Sequence, residues 1–113
     1  MTSEEALDRQ KADQRAKELM MNCLSPEQRD EYERHKRFHV ITPSGKKYRI
    51  NKGTHGNIAL LGENDRVLEK LCVQPEGIPK YDAMLAQKLW LETDEEKVRK
   101  VANITNMRGF QAA

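Results

Sequence analysis

The sequence predicts an α+β fold, a four-stranded antiparallel meander with two N-terminal and two C-terminal helices, in one domain spanning 1–113. Three observations carry that expectation. Apolar residues recur at three- and four-residue steps up to Leu24. Between Phe38 and Val73 the period falls to two, with turn-forming residues between the runs, and after Pro79 the helical spacing returns. The chain's 113 residues fit one domain. A chain of that size buries roughly two-thirds of its unfolded surface, enough for one small core.

Residues 3–24 contain no Pro or Gly, and Ala12, Ala16, Leu19, Met20, Cys23 and Leu24 share one helical face. Residues 1–15 are mostly polar, so they form either a projecting helix or a mobile arm. Ser25-Pro26-Glu27-Gln28 starts a second helix running to about His35. Ser25 accepts a backbone N–H bond, Pro26 suits the first position because it lacks a donor, and Gln28 completes the capping box. Tyr32 is its main apolar anchor.

Phe38 to Ile41 and Lys46 to Ile50 alternate around Thr42-Pro43-Ser44-Gly45, a hairpin with Tyr48 and Ile50 on one face and Lys47 and Arg49 on the other. Strands over Asn57–Leu61 and Arg66–Val73 follow, linked by turns at 51–56 and 62–65. Such short links favour antiparallel neighbours. After a loop from Gln74 to Lys80, Asp82 starts a helix through Leu91 or Glu92. Thr93-Asp94-Glu95-Glu96 caps a last helix carrying Val98, Val101, Ala102 and Ile104, and fraying is expected after Met107. The expected core is Leu19, Phe38, Val40, Tyr48, Ile50, Ile58, Leu60, Val67, Leu71, Leu85, Leu89 and Val101, with Trp90 beside it and both Cys23 and Cys72 as buried thiols.

Leu24-Ser25-Pro26-Glu27-Gln28, Phe38-His39-Val40, Pro43-Ser44-Gly45, Tyr48-Arg49-Ile50 and Gly56-Asn57-Ile58 carry a resemblance, as do Met84 to Leu89 and Leu91 to Glu96. Over roughly residues 17–103 the chain resembles a group of short uncharacterised bacterial and phage proteins without established activity. The resemblance implies a bacterial or phage origin and an intracellular setting; it assigns no functional residue.

Charge is segregated. From Arg34 to Gly62 there are seven basic residues (Arg34, Lys36, Arg37, Lys46, Lys47, Arg49 and Lys52), all three histidines and no carboxylate. Residues 1–33 instead hold nine acidic and five basic side chains. Such a window marks either an anion-binding face or a solvated sheet face balanced by its neighbours. The candidate anion or nucleic-acid contacts are Arg37, Lys46, Lys47, Arg49, Lys52 and His55. The loop Lys52 to Asn57 has two glycines that let a backbone approach an anion, but it lacks phosphate-loop spacing and a following helix.

No nucleophile with a base is visible, and the carboxylate pairs sit at helix starts, where the helix dipole explains them. His35 and His39 are four residues apart, a metal spacing only on a helix, and that helix ends near His35. No enzyme, cofactor or metal site is therefore expected. No apolar stretch approaches the ~18 residues a membrane span needs. The polar, acidic start resembles no secretory signal. The expectation is a cytoplasmic, non-enzymatic module that binds another protein or a second copy of itself through Met20, Met21 and Trp90. The alternative is nucleic-acid binding by the basic hairpin of residues 34–55.

Overall fold

The computed structural model describes residues 2–73 and 77–107. Among them the chain forms helices α1 (Ser3–Cys23) and α2 (Pro26–His35), then strands β1 (Arg37–Ile41), β2 (Lys47–Asn51) and β3 (Ile58–Leu61). A 3-10 turn (Glu63–Asp65) leads to β4 (Val67–Cys72), helices α3 (Lys80–Thr93) and α4 (Glu95–Val101), and β5 (Asn103–Asn106). The strands form one antiparallel sheet in the order β1-β2-β3-β4-β5.

The helices stand where the sequence places them, but the sheet has five strands, not four. Ile104, expected at the end of the last helix, lies in β5. α4 stops at Val101, and Ala102 turns extended (φ −71°, ψ 148°). Asn103-Ile104-Thr105-Asn106 are poor helix formers, whereas the far edge of β4 offers backbone groups that need partners. β5 provides them, with Leu71 opposite Ile104 and Lys70 opposite Thr105. The loop expected at 74–80 lies partly, and the fraying expected after Met107 wholly, outside the described residues.

Helix starts follow capping chemistry. Ser25 Oγ accepts from Gln28 N–H at 3.1 Å, and Gln28 Oε1 accepts from Ser25 N–H at 3.0 Å. Thr2 and Glu5 form the same box before α1. α3 starts at Lys80 rather than Asp82, directly after Pro79. α4 is capped by Asp94 rather than Thr93: Asp94 Oδ1 accepts from Lys97 N–H, while the Thr93 hydroxyl turns back to donate to the Leu89 carbonyl at 2.6 Å.

All helices contribute to the core on one sheet face. There the register builds two rows, Phe38–Ile50–Ile58–Leu71–Ile104 and Val40–Tyr48–Leu60–Glu69–Asn106. Ala16 and Met20 of α1, Leu24 just after it, Tyr32 of α2, Tyr81, Met84 and Leu91 of α3 and Val98 of α4 close over them. Three expected core residues are instead exposed: Leu19 (52%), Leu89 (45%) and Val101 (61%). Val67 is half-buried, Cys72 half-buried and Cys23 exposed. α1 contacts its neighbours through a narrow stripe, whereas α3 is buried on a broad side from which Leu89 and Trp90 are left out. On α1 that stripe is Ala16–Met20–Leu24, a strict four-residue step, and Leu19 and Cys23 fall beside it.

Two buried amides tie α3 to the sheet. Asn57 Nδ2 donates to Gln87 Oε1 at 2.8 Å, and Gln87 Nε2 donates back to Asn57 Oδ1 at 3.1 Å. Their second N–H groups reach the Asn51 and Val73 carbonyls at 3.1 and 2.9 Å. The 52–57 loop is thereby held closed, with Gly56 in the left-handed region (φ 55°). Replacing Gln87 by Leu strands the Asn57 amide without water, a loss of about 1–3 kcal/mol. The expected readout is a lower urea midpoint at unchanged slope, and a Gln87→Leu/Asn57→Ala pair that loses less than the sum of the single variants.

Candidate functional site

Strand alternation puts Arg37, His39, Lys47 and Arg49 on the sheet face opposite the helices. The register extends one row across it, His39–Arg49–Ala59–Lys70–Thr105. Of the six predicted cationic contacts, three therefore meet on this face: Arg37, Lys47 and Arg49. Lys46 ends the 42–46 turn at one end of β2, beside Glu95 of α4. Lys52 and His55 stand in the loop at the other end, where the His55 ring contacts the Thr54 hydroxyl at 3.1 Å. A five-residue strand separates the two groups by roughly 16 Å. The basic window is thus split over three places.

Carboxylates neutralise part of the face. Lys47 Nζ donates to Asp65 Oδ1 at 2.9 Å. That hydrogen bond, above all, holds the Asp65 carboxyl below its ordinary value. Glu31 of α2 takes the His39 Nδ1. Burial, and then the nearby Arg37, lowers the Arg49 guanidinium from its ordinary value. Among the described residues Arg37, Arg49 and Lys70 form no ion pair, although the Asp65 charge acts on Arg49, and Lys70 joins the face through strand pairing that composition does not show. Phe38 and Tyr48 are fully buried on the other side, as their alternation predicts.

The predicted protein contacts divide as well. Met20 is fully buried in the core and presents nothing to a partner, because its place on α1 faces α3. Met21 is half-buried against the core, and its carbonyl accepts from Arg29 Nε at 3.1 Å. Trp90 is 40% exposed rather than packed inside. It lines a groove of about 360 Å³ between α3 and α4, with Val73, Val98 and Val101 as apolar walls and Thr93, Asp94 and Lys97 at its polar side. Among the described residues, no group of three or more His, Cys, Asp or Glu side chains is placed to hold a metal ion.

α4, one wall of that groove, is set by a polar clamp. Glu69 stands in the core-facing row of β4, and Arg99 of α4 reaches it at 2.8 Å while also donating to the Tyr48 hydroxyl at 3.3 Å. Tyr48 Oη and Ser44 Oγ each donate to Glu95 at 2.6 Å. Burial, then the Glu95 bond, pushes the Tyr48 phenol up to about 12. Burial lowers the Arg99 guanidinium's affinity for its proton, but the bonds to Glu69 and Tyr48 outweigh that and raise it overall. One signal for the clamp was readable: Glu69 shares the strand parity of Leu71 and Val73, which points a carboxylate inward; a register shift between Leu60 and Leu61 takes Val67 out of that row.

For Glu95, burial alone raises the carboxyl, yet the hydrogen bonds from Ser44, Tyr48 and Thr42 and the charge of Lys46 bring it below its ordinary 4.5. Ionised Glu95 therefore stabilises the fold fully above pH 4.5, and that contribution is lost as pH falls through the lower folded value. Glu95→Gln is expected to be less stable than the wild type at neutral pH, with the gap closing below pH 4.5; a gap independent of pH in urea titrations contradicts this. No helix of the described residues is long and apolar enough to cross a membrane. Comparison with protein-family models, curated proteins and solved structures returns no significant match to the chain.

Proposed function

We propose that the chain is a small non-enzymatic protein-interaction module, of bacterial or phage origin, whose contact surface is the α3–α4 groove. The observation that supports this most is Trp90 with Val101: a large aromatic and an aliphatic side chain left to water along one apolar depression. Aromatic anchors beside a pocket are the residues that dominate binding energy at protein interfaces. The rigid placement of α4 by the Glu69–Arg99 pair keeps the groove formed before a partner arrives, which lowers the ordering cost of binding.

A second reading is nucleic-acid binding across the open sheet face, supported by Arg37, Arg49 and Lys70, which form no ion pair among the described residues, although the Asp65 charge acts on Arg49. Phosphate contacts suit such a face, but with Phe38 and Tyr48 buried it offers no stacking platform. Fluorescence anisotropy with single- and double-stranded oligonucleotides at two salt concentrations separates the readings, since phosphate binding must weaken as salt rises.

The direct test compares wild type with Trp90→Ala by light scattering and by capture from host lysate, followed by affinity measurement with the purified partner. Truncating an anchor of this kind is expected to weaken binding at least about tenfold. A strict monomer that enriches nothing, or a variant that binds as well as the wild type, overturns the proposal.

A further inference from the structure

The two edges of the sheet are finished differently. At β1, α2 covers the outward backbone: Gln28 Nε2 donates to the His39 carbonyl at 2.8 Å, and Glu31 Oε1 accepts from His39 N–H at 3.4 Å. At β5, no helix or strand of the described residues lies beyond Asn103–Asn106. Natural edge strands are commonly blunted by charge, proline, a bulge or a covering element. β5 carries no charge and no proline, and all four of its residues are exposed.

The register determines which groups face that edge. Met107 N–H donates to the Leu68 carbonyl at 2.9 Å, continuing the pairing of Asn106 with Glu69. Bonded and non-bonded pairs alternate along an antiparallel ladder. Asn103 and Thr105 therefore bond inward to β4, and the N–H and C=O of Ile104 point away from it. On the helix side, Ile104 (36% exposed) and Val101 give the edge an apolar flank next to the Trp90 groove. On the other side, Thr105 is followed one strand inward by Lys70, in a row that holds no carboxylate.

We infer that β5 accepts an extended segment of a partner protein as a sixth strand, one with apolar side chains on its helix-facing side and acidic side chains alternating on the other. The backbone of Ile104 supplies the pairing. Apolar residues of the segment pack on Ile104 and Val101. An acidic residue on the outer face lies two strand spacings from Lys70, roughly 9–10 Å between backbones, a gap that lysine and glutamate side chains span together. The inference rests on the reading of the chain as a protein-binding module and names the chemistry of the partner. Strand addition of this kind takes affinity from main-chain bonds and selectivity from alternate side chains.

The probe is a synthetic peptide of alternating Glu and Val, titrated into the full chain and followed by amide NMR and hydrogen exchange. Saturable binding with new protection at the Ile104 N–H is expected. Lys70→Glu weakens it about fivefold or more, as does exchanging the peptide's Glu for Lys. Ile104→Pro removes the outward donor without touching a β4 bond, a substitution edge strands tolerate, and weakens peptide binding at least about tenfold, whereas Ile104→Val retains both the affinity and the protection. Peptide binding that leaves Ile104 unprotected, equal affinity for the Lys peptide, or Ile104 already protected in a dimer of the free chain overturns the inference. So does displacement of the peptide by a single-stranded oligonucleotide bound across Arg37 and Arg49. Failure here with Trp90→Ala still losing its partner removes the edge strand and leaves the groove standing.

Discussion

One-sided burial is the constraint from which the rest follows. The helices build the core on a single face of the sheet, so the β1–β2 hairpin must send one parity of side chain inward and the other outward. Phe38, Val40, Tyr48 and Ile50 obey it with complete burial, while Arg37, His39, Lys47 and Arg49 take the other face. A slip of one residue in any pairing would drive the hairpin's cations into the core, and this specifies the register tightly.

Glu69 and Asn57 are polar groups drawn to the buried side, and each is matched by a helix. Glu69 is met by Arg99, and through Tyr48 and Glu95 the same cluster reaches the Ser44 turn. Asn57 is met by Gln87 in a closed pair of amide bonds. Because an unpaired polar group in such a place is costly, these pairs act as positional locks: each helix has one depth and rotation at which its partner is satisfied. α3 is locked near its middle and α4 at both ends, which fixes the groove between them.

The surface that remains is uneven. The outer face is basic but partly neutralised by Asp65 and Glu31, and the strand residues described there include no aromatic ring. Exposed Trp90 and Val101 share one groove between α3 and α4, and exposed Ile104 follows Val101 by three residues in β5. At the opposite edge, side chains of α2 occupy the outward backbone of β1. The two edges of the sheet thus differ among the described residues: α2 covers β1, and no helix or strand of those residues lies beyond β5.

Local chemistry alone determined the helix starts at Ser25 and at the Thr93–Asp94 boundary, the period-two run from Phe38 onward, and the opposition of Tyr48 and Ile50 to Lys47 and Arg49. These depend on capping groups and side-chain alternation, both short-range and written into neighbouring residues. β5 was not legible, because four residues of weak preference become a strand only when the edge of β4 stands beside them. The exposure of Leu19, Leu89, Trp90 and Val101 was equally hidden: a helical stripe shows which residues share a side, but only the neighbouring helix decides how wide a strip is covered. Lys70 joined Arg49 on one face through pairing across β3, and Met20 left the surface because α1 packs on α3. Both outcomes are set by contacts between residues distant in the chain, which pattern along the sequence does not encode.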